Sequence, residues 1–319
     1  LKITELTDRG LIKTTKDYIT TTGNGVTGAT GTFIADERSY TITKITGNVE
    51  VDFKNTRQTV TVTVKKEVVS RITADNSRDY VFTITTNSTS QTVTIKGAGY
   101  NDTNDTIKVP KGVDVTVTET NADTTAFTVE YKDGVAYQAG SSKTVNNVTA
   151  DTEFVIRNTR KEYDLTISKT VNNFDASGDN EYPVTYTITY TEGGNTQTVV
   201  ESTIKFIKDR YESETVKVPY GCKVEVSEDT DAEITINGEK YYISEAFDTT
   251  VNRDEKTSHT IESMTQKEEV NVVNTRKTQT VTVHKVVYNK WNIVADKTAK
   301  FEIIVNGTAE TIQVSDNVW

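Results

Sequence analysis

The sequence predicts an all-β protein made of tandem β-sandwich domains arranged end to end, on three observations. The segment Asn-Thr-Arg occurs three times, each time closing an alternating stretch. A lysine follows its asparagine after eleven residues, inside the next alternating stretch: Asn55 then Lys66, Asn158 then Lys169, Asn274 then Lys285. Short runs of period-two alternation are separated by turn residues, the spacing of a sandwich. Threonine and valine are abundant, and such β-branched residues suit a pleated, half-buried surface.

Opening strands read Thr61-Val62-Thr63-Val64, Leu165-Thr166-Ile167-Ser168 and Val281-Thr282-Val283-His284, with apolar residues on one face and polar residues on the other. Further strands are expected at Tyr80–Thr85, Thr92–Lys96, Thr185–Tyr190 and Phe301–Val305. Turns are expected at Asn87-Ser88, Gly193-Gly194 and Asn306-Gly307. Closing strands place Val51 and Phe53, Phe154 and Ile156, and Val270 and Val272 inward. Val109-Pro110-Lys111-Gly112 and Val218-Pro219-Tyr220-Gly221 read as type I turns with proline second and glycine fourth. Each leads into an alternating strand that ends in an acid, Glu119 or Glu228. Leu1 to Glu5 looks like that same strand again.

Domain boundaries fall just after each Asn-Thr-Arg. Residues 58–160 and 161–276 read as complete domains, 1–57 as a C-terminal part and 277–319 as an N-terminal part. Residues 1–57 of a following copy or neighbouring unit would complete the last part. The lysine-to-asparagine interval is 92 residues (158 − 66) in the first complete domain and 105 (274 − 169) in the second.

The net charge of −10 and the lack of a basic stripe interleaved with aromatics argue against a nucleic-acid partner. No apolar run has the length of a membrane span. One cysteine, Cys222, excludes an intramolecular disulfide and reads as a structural thiol. His259, expected in a polar loop, and His284, on an outward face, form no ligand cluster, so neither a metal nor a cofactor is expected.

Strand periodicity puts the chemistry inside. Lys66 follows Val62 and Val64 on the inward register, Lys169 follows Leu165 and Ile167, and Lys285 follows Val281 and Val283. Glu119, Glu228 and Glu5 extend inward rows, as do Asn158, Asn274 and Asn55. An amine, a carboxyl group and a carboxamide aimed at one apolar interior are costly unless they satisfy one another. Burial disfavours charge, so a proton can pass from lysine to glutamate and leave a nucleophilic amine. With the acid polarising the carboxamide, the amine can attack, expel ammonia and leave an amide between side chains.

This pattern resembles the collagen-adhesin B-type (CnaB-like) domains of Gram-positive surface adhesins and pili, whose hallmark is a Lys–Asn isopeptide bond assisted by a glutamate. The resemblance is carried by Val-Thr-Val-Lys65-Lys66, Leu-Thr-Ile-Ser-Lys169 and Val-Thr-Val-His-Lys285, by the Glu-Thr and Glu-Asp pairs at Glu119 and Glu228, and by the three Asn-Thr-Arg segments. It implies immunoglobulin-like sandwiches. It also implies bonds joining Lys66 to Asn158, Lys169 to Asn274 and Lys285 to Asn55, with Glu119, Glu228 and Glu5 as the catalytic acids. No LPxTG-type sorting signal or YPK pilin motif occurs in the sequence. The expected function is an extracellular stalk or fibre segment on a bacterial cell surface, joined head to tail to identical units, and not an enzyme acting on an external substrate. The alternative is a ligand-binding adhesin module in which Tyr220, Tyr241 and Tyr242 contact a host or matrix molecule.

Overall fold

In the computed structural model, the described residues are 1–319 except 6–17, 22–24, 36, 88, 97–102, 174–179, 208–212, 254–255, 281–299, 306–307 and 314–319. The chain divides into Leu1–Thr275 and Arg276–Trp319. Antiparallel and parallel strands dominate the first unit, and its only described α-helix is the single turn Ile243–Ala246.

Two sandwiches follow one plan. In the first, one sheet runs Ser142–Val148, Val113–Glu119, Asp79–Thr86, Ser90–Lys96. The other runs Ala136–Ala139, Phe127–Asp133, Thr152–Arg160, Thr59–Val69, Thr103–Pro110. The second sandwich has a sheet of Glu214–Pro219, Glu162–Asn172, Glu268–Arg276 and Phe247–Val251. It faces a sheet of Asn195–Ile207, Glu181–Glu192, Lys223–Glu228 and Ser258–Ile261. Each sandwich encloses its own core. Val62, Val64, Phe82, Val115, Val117, Phe154 and Ile156 fill the first; Leu165, Ile167, Val184, Val224, Val226, Val270 and Val272 fill the second.

The opening and closing strands of each sandwich are parallel neighbours in matching register. Lys66 lies opposite Ile156 and Val68 opposite Asn158, while Lys169 lies opposite Val272 and Val171 opposite Asn274. Lysine and asparagine therefore sit two positions apart across one strand pair, diagonal neighbours on the same face. In the facing sheet, Phe82 pairs with Glu119 and Val184 with Glu228.

Turn chemistry accounts for the joins. Gly193 and Gly194 both adopt positive φ in the two-residue loop between Glu192 and Asn195, and Asn237-Gly238 does the same between Ile236 and Glu239. Such primed turns match strand twist. The Val-Pro-x-Gly turns are shifted by one residue from the sequence reading. Cys222 N–H donates to Pro219 O at 3.2 Å, so proline is first and Gly221, with φ 79°, is third, where a type II turn requires positive φ.

In residues 1–57, Lys2–Thr4, Ser39–Val51 and Val26–Ile34 form a sheet, and Lys54–Arg57 pairs with Tyr18–Thr21. The closing stretch expected there is broken at Asp52-Phe53, which lie outside both strands, and Val51 and Phe53 are only half-buried. In Arg276–Trp319, Lys300–Val305 pairs with Thr308–Gln313 as a hairpin.

The arginine of Asn-Thr-Arg has a second use. Arg57 donates through Nε and Nη2 to the carbonyl of Lys111, and Arg160 donates through Nη1 to that of Tyr220, the matching residue of the next Val-Pro-x-Gly turn. The residue after each arginine accepts from the same turn: Lys111 N–H to Gln58 O and Tyr220 N–H to Lys161 O. Arg160 also grips Asp75, Nε to Oδ2 at 2.6 Å and Nη2 to Oδ1 at 2.7 Å, with both side chains buried. Asp75 sits in the 3₁₀ turn Thr73–Ser77, just beyond Ile72, which is buried in the second core. The first sandwich thus lends residues to the second. Tyr220, expected as an exposed ligand contact, is instead half-buried against the first core, with its ring 6.4 Å from that of Tyr163.

Arg160→Met should destabilise the junction by about 2–3 kcal/mol, because it leaves a buried carboxylate with only Ser70 and the more distant Arg78 guanidinium. Arg57→Met, at an exposed residue, should stay within about 0.5 kcal/mol. Guanidinium denaturation of both variants checks this, and Arg160→Met combined with Asp75→Asn should recover most of the loss.

Candidate functional site

Each sandwich buries a lysine, a glutamate and an asparagine together. In the first, Lys66 Nζ donates to Glu119 Oε2 at 2.7 Å and Asn158 Nδ2 donates to Glu119 Oε1 at 2.7 Å. The lysine and glutamate side chains have no exposed surface, and Asn158 is 1% exposed. In the second, Glu228 Oε1 accepts from Lys169 Nζ at 2.5 Å and from Asn274 Nδ2 at 3.0 Å. Again all three are buried. Lysine and asparagine arrive on parallel strands of one sheet, and the acid arrives from the end of a strand in the opposite sheet. Neither sheet alone could assemble the group.

The environment moves each amine toward its uncharged form. Burial pulls Lys66 and Lys169 down from 10.5 to about 8, although the adjoining glutamate in each case pulls upward. A ring covers each amine as well: Lys66 Nζ lies 4.5 Å from the centre of the Tyr80 ring, and Lys169 Nζ 5.3 Å from that of Tyr182. Burial also raises the Tyr80 phenol above its ordinary value. These tyrosines occupy the same place, two residues before the partner of the acid. The repeated Tyr-x-Phe and Tyr-x-Val spacing carried that signal in the sequence.

One carboxyl group touching both amine and carboxamide can take a proton from the attacking nitrogen and give one to the leaving nitrogen. The geometry suits an exchange in which the lysine Nζ–Cγ bond forms, the asparagine Cγ–Nδ2 bond breaks and ammonia leaves.

The third predicted set is described in part. Asn55 Nδ2 donates to Glu5 Oε1 at 2.6 Å, with both residues half-buried, and Lys285 lies outside the described residues. Lys65, next to the buried lysine, points the other way to pair with Glu153 at 2.6 Å. Cys222 is fully buried in the second core, which pushes its thiol up to about 11. His259 lies on the strand Ser258–Ile261, and not in a loop as its polar neighbours suggested; its Nε2 is 3.1 Å from Asn252 Nδ2. His284 lies outside the described residues. Among the described residues no group of His, Cys, Asp and Glu could hold a metal ion, and no helix is long and apolar enough to cross a membrane.

No family model matches the chain, and no curated protein matches it. Among solved structures it is similar to a major pilin protein of Streptococcus pyogenes, at 16% identity and a TM-score of 0.35, over 69% of this chain and 97% of that one. It is similar to a pilus-presented adhesin at 18% identity and a TM-score of 0.28, over 39% of this chain and 34% of the other. The Bacillus anthracis TIE protein is also similar, at 17% identity and a TM-score of 0.33, over 75% of this chain and 38% of that one.

The lowered lysine values predict a pH dependence in a protein whose bonds cannot form, such as Asn158→Ala with Asn274→Ala. Between pH 8 and 10.5 the unfolded chain binds more protons than the folded one, so stability rises with pH across that window. Below pH 8 the cost of the buried ammonium is fully present, and above 10.5 it is gone. The gap from 10.5 to about 8 corresponds to about 3 kcal/mol per lysine. Denaturant midpoints measured through that range should rise, and Lys66→Met should remove the share of the first sandwich.

Proposed function

We propose that this chain is a load-bearing segment of an extracellular bacterial fibre or adhesin stalk, locked by self-formed amides from Lys66 to Asn158 and from Lys169 to Asn274. The supporting observation is the same buried lysine, glutamate and asparagine placed at the same register in two successive sandwiches. Residues 58–160 and 161–276 are the two domains so locked, with Glu119 and Glu228 as their proton-transferring acids. Residues 1–57 and 277–319 are parts of a third kind of domain, in which Lys285 of one copy meets Glu5 and Asn55 of another. That contact would chain identical units head to tail.

The bond changes the load path. Tension entering along the opening strand crosses at Lys66 to Asn158 and continues through Arg160 into the strand that carries Lys169. The polypeptide between the bonded residues carries none of it. By analogy with a cross-link closing a loop of this size, each bond adds about 4 to 5 kcal/mol. Resistance to force and to proteases is the larger effect, because extension then requires breaking a covalent bond. Such a role needs no external substrate or cofactor. The alternative role of ligand-binding adhesin keeps Tyr241 and Tyr242, which are exposed, as candidate contacts.

Intact-mass measurement tests the chemistry. The folded protein should weigh two ammonia less than its sequence, and peptides carrying Lys66 and Asn158, or Lys169 and Asn274, should stay joined after complete digestion. Glu119→Gln should retain the first ammonia while the second is still lost. Full sequence mass in the wild-type protein would falsify the reading.

A further inference from the structure

The two buried sets differ at the carboxamide oxygen. Thr249 Oγ1 donates to Asn274 Oδ1 at 3.0 Å, whereas Asn158 Oδ1 is buried with no hydrogen-bond partner among the described residues. The cause is one position. The strands Phe127–Asp133 and Phe247–Val251 both flank a closing strand on the side away from its opening strand, and both begin with a phenylalanine 2% exposed. Two residues on, the first has Val129, which lies opposite Asn158, and the second has Thr249. Valine and threonine share a shape and differ by a hydroxyl.

We infer that Thr249 is a catalytic residue of the second sandwich, donating to the carboxamide oxygen as Lys169 attacks, and that Val129 leaves the first sandwich without that donor. The inference rests on the amide-forming reading. When the neutral lysine Nζ adds to Cγ of asparagine, the carbonyl π pair moves onto Oδ1, which becomes an alkoxide. Collapse of this intermediate re-forms the carbonyl and breaks Cγ–Nδ2. Glu228 takes the proton lost by Nζ and supplies the proton gained by Nδ2, so one amine and one carboxamide become one amide and one ammonia. The charge on Oδ1 exists only between these two steps, so a donor already aimed at that atom stabilises the intermediate more than the starting carboxamide. In the resting state the same hydrogen bond holds the amide in the orientation that presents Nδ2 to Glu228.

The two sandwiches therefore form a natural comparison: the same acid and amine types, with the oxyanion donor present in one and absent in the other, although Glu119 bridges its partners with two oxygens and Glu228 with one. The second bond should form faster than the first, and a single exchange should move each rate.

The full chain, purified unfolded in denaturant so that neither bond has formed, is diluted to refold. Samples quenched in acid over time are digested and weighed, so that each cross-linked peptide pair is timed separately, and circular dichroism follows folding in parallel. Losing one oxyanion donor costs about 10²–10³ in rate in a dry site, and because Thr249 is only half-buried a slowing of about tenfold or more is expected for Thr249→Val. Thr249→Ser, which keeps the hydroxyl, should restore most of the rate, and Val129→Thr should speed the first bond. Thr249→Val that folds and closes the second bond at the wild-type rate overturns the assignment to Thr249. So does a slowing that Thr249→Ser fails to relieve. A wild-type chain that folds and never loses ammonia overturns the amide-forming reading itself, and this inference with it.

Discussion

A lysine ammonium on a carboxylate inside a dry β-sandwich is the interaction on which the rest of this molecule depends. An isolated charge there would be prohibitive, and even a paired one repays its desolvation only with good geometry and satisfied partners. The chain supplies the geometry and most of the partners, leaving Asn158 Oδ1 and Glu228 Oε2 buried without one among the described residues. Glu119 spans Lys66 and Asn158 with its two oxygens, and Glu228 gathers Lys169 and Asn274 on one. The pair remains a costly way to fill a core, and the proposed amide would remove both the charge and its cost. A core that could have been Val and Phe throughout thus holds a reactive arrangement whose product is neutral.

The position of the pair follows from topology. Opening and closing strands are parallel neighbours, so the chain enters and leaves each sandwich along adjacent strands. Hydrogen bonds alone would let such strands slide apart under tension. A link between Lys66 and Asn158 lies across that boundary, and Arg160 lies two residues beyond it in the same strand. The proposed covalent closure and the arginine joint would thereby be adjacent on the load path. Asp75, itself held by Ser70 and Arg78, and the carbonyl of Tyr220 tie the arginine to both sandwiches, and Arg71 adds a bond to Glu162. The arginine that holds the joint and the asparagine of the proposed amide are thus neighbours in a single three-residue segment.

Much of this was legible in the sequence because strand periodicity is exact. Once Val62 and Val64 are inward, Lys66 must be inward too, and the same parity holds for Val115, Val117 and Glu119. Three-residue landmarks repeated at matching offsets then order the sets along the chain. The same parity puts Lys65 on the outer face, where it pairs with Glu153. It could not reveal Asp75, because a short 3₁₀ turn between strands has no period to extend. Nor could it separate the joint role of Tyr220 from surface exposure, since burial between two sandwiches depends on how they dock. His259 was misplaced for a related reason: its strand is short, and its polar neighbours resemble a loop.

By itself the sequence determined the fold class, the repeat and the inward face of Lys66, Lys169, Glu119, Glu228, Asn158 and Asn274, because all three follow from local alternation. Only the tertiary structure decided which atoms meet. It brought the acid across from the opposite sheet, set lysine and asparagine two positions apart on parallel strands, and laid Tyr80 and Tyr182 over the amines. It also showed that Thr249 reaches a carboxamide oxygen where Val129 cannot. These are contacts between strands far apart in the chain. Their pairing and register are fixed by the packing of two sheets around a common core, a constraint that no single stretch of sequence contains.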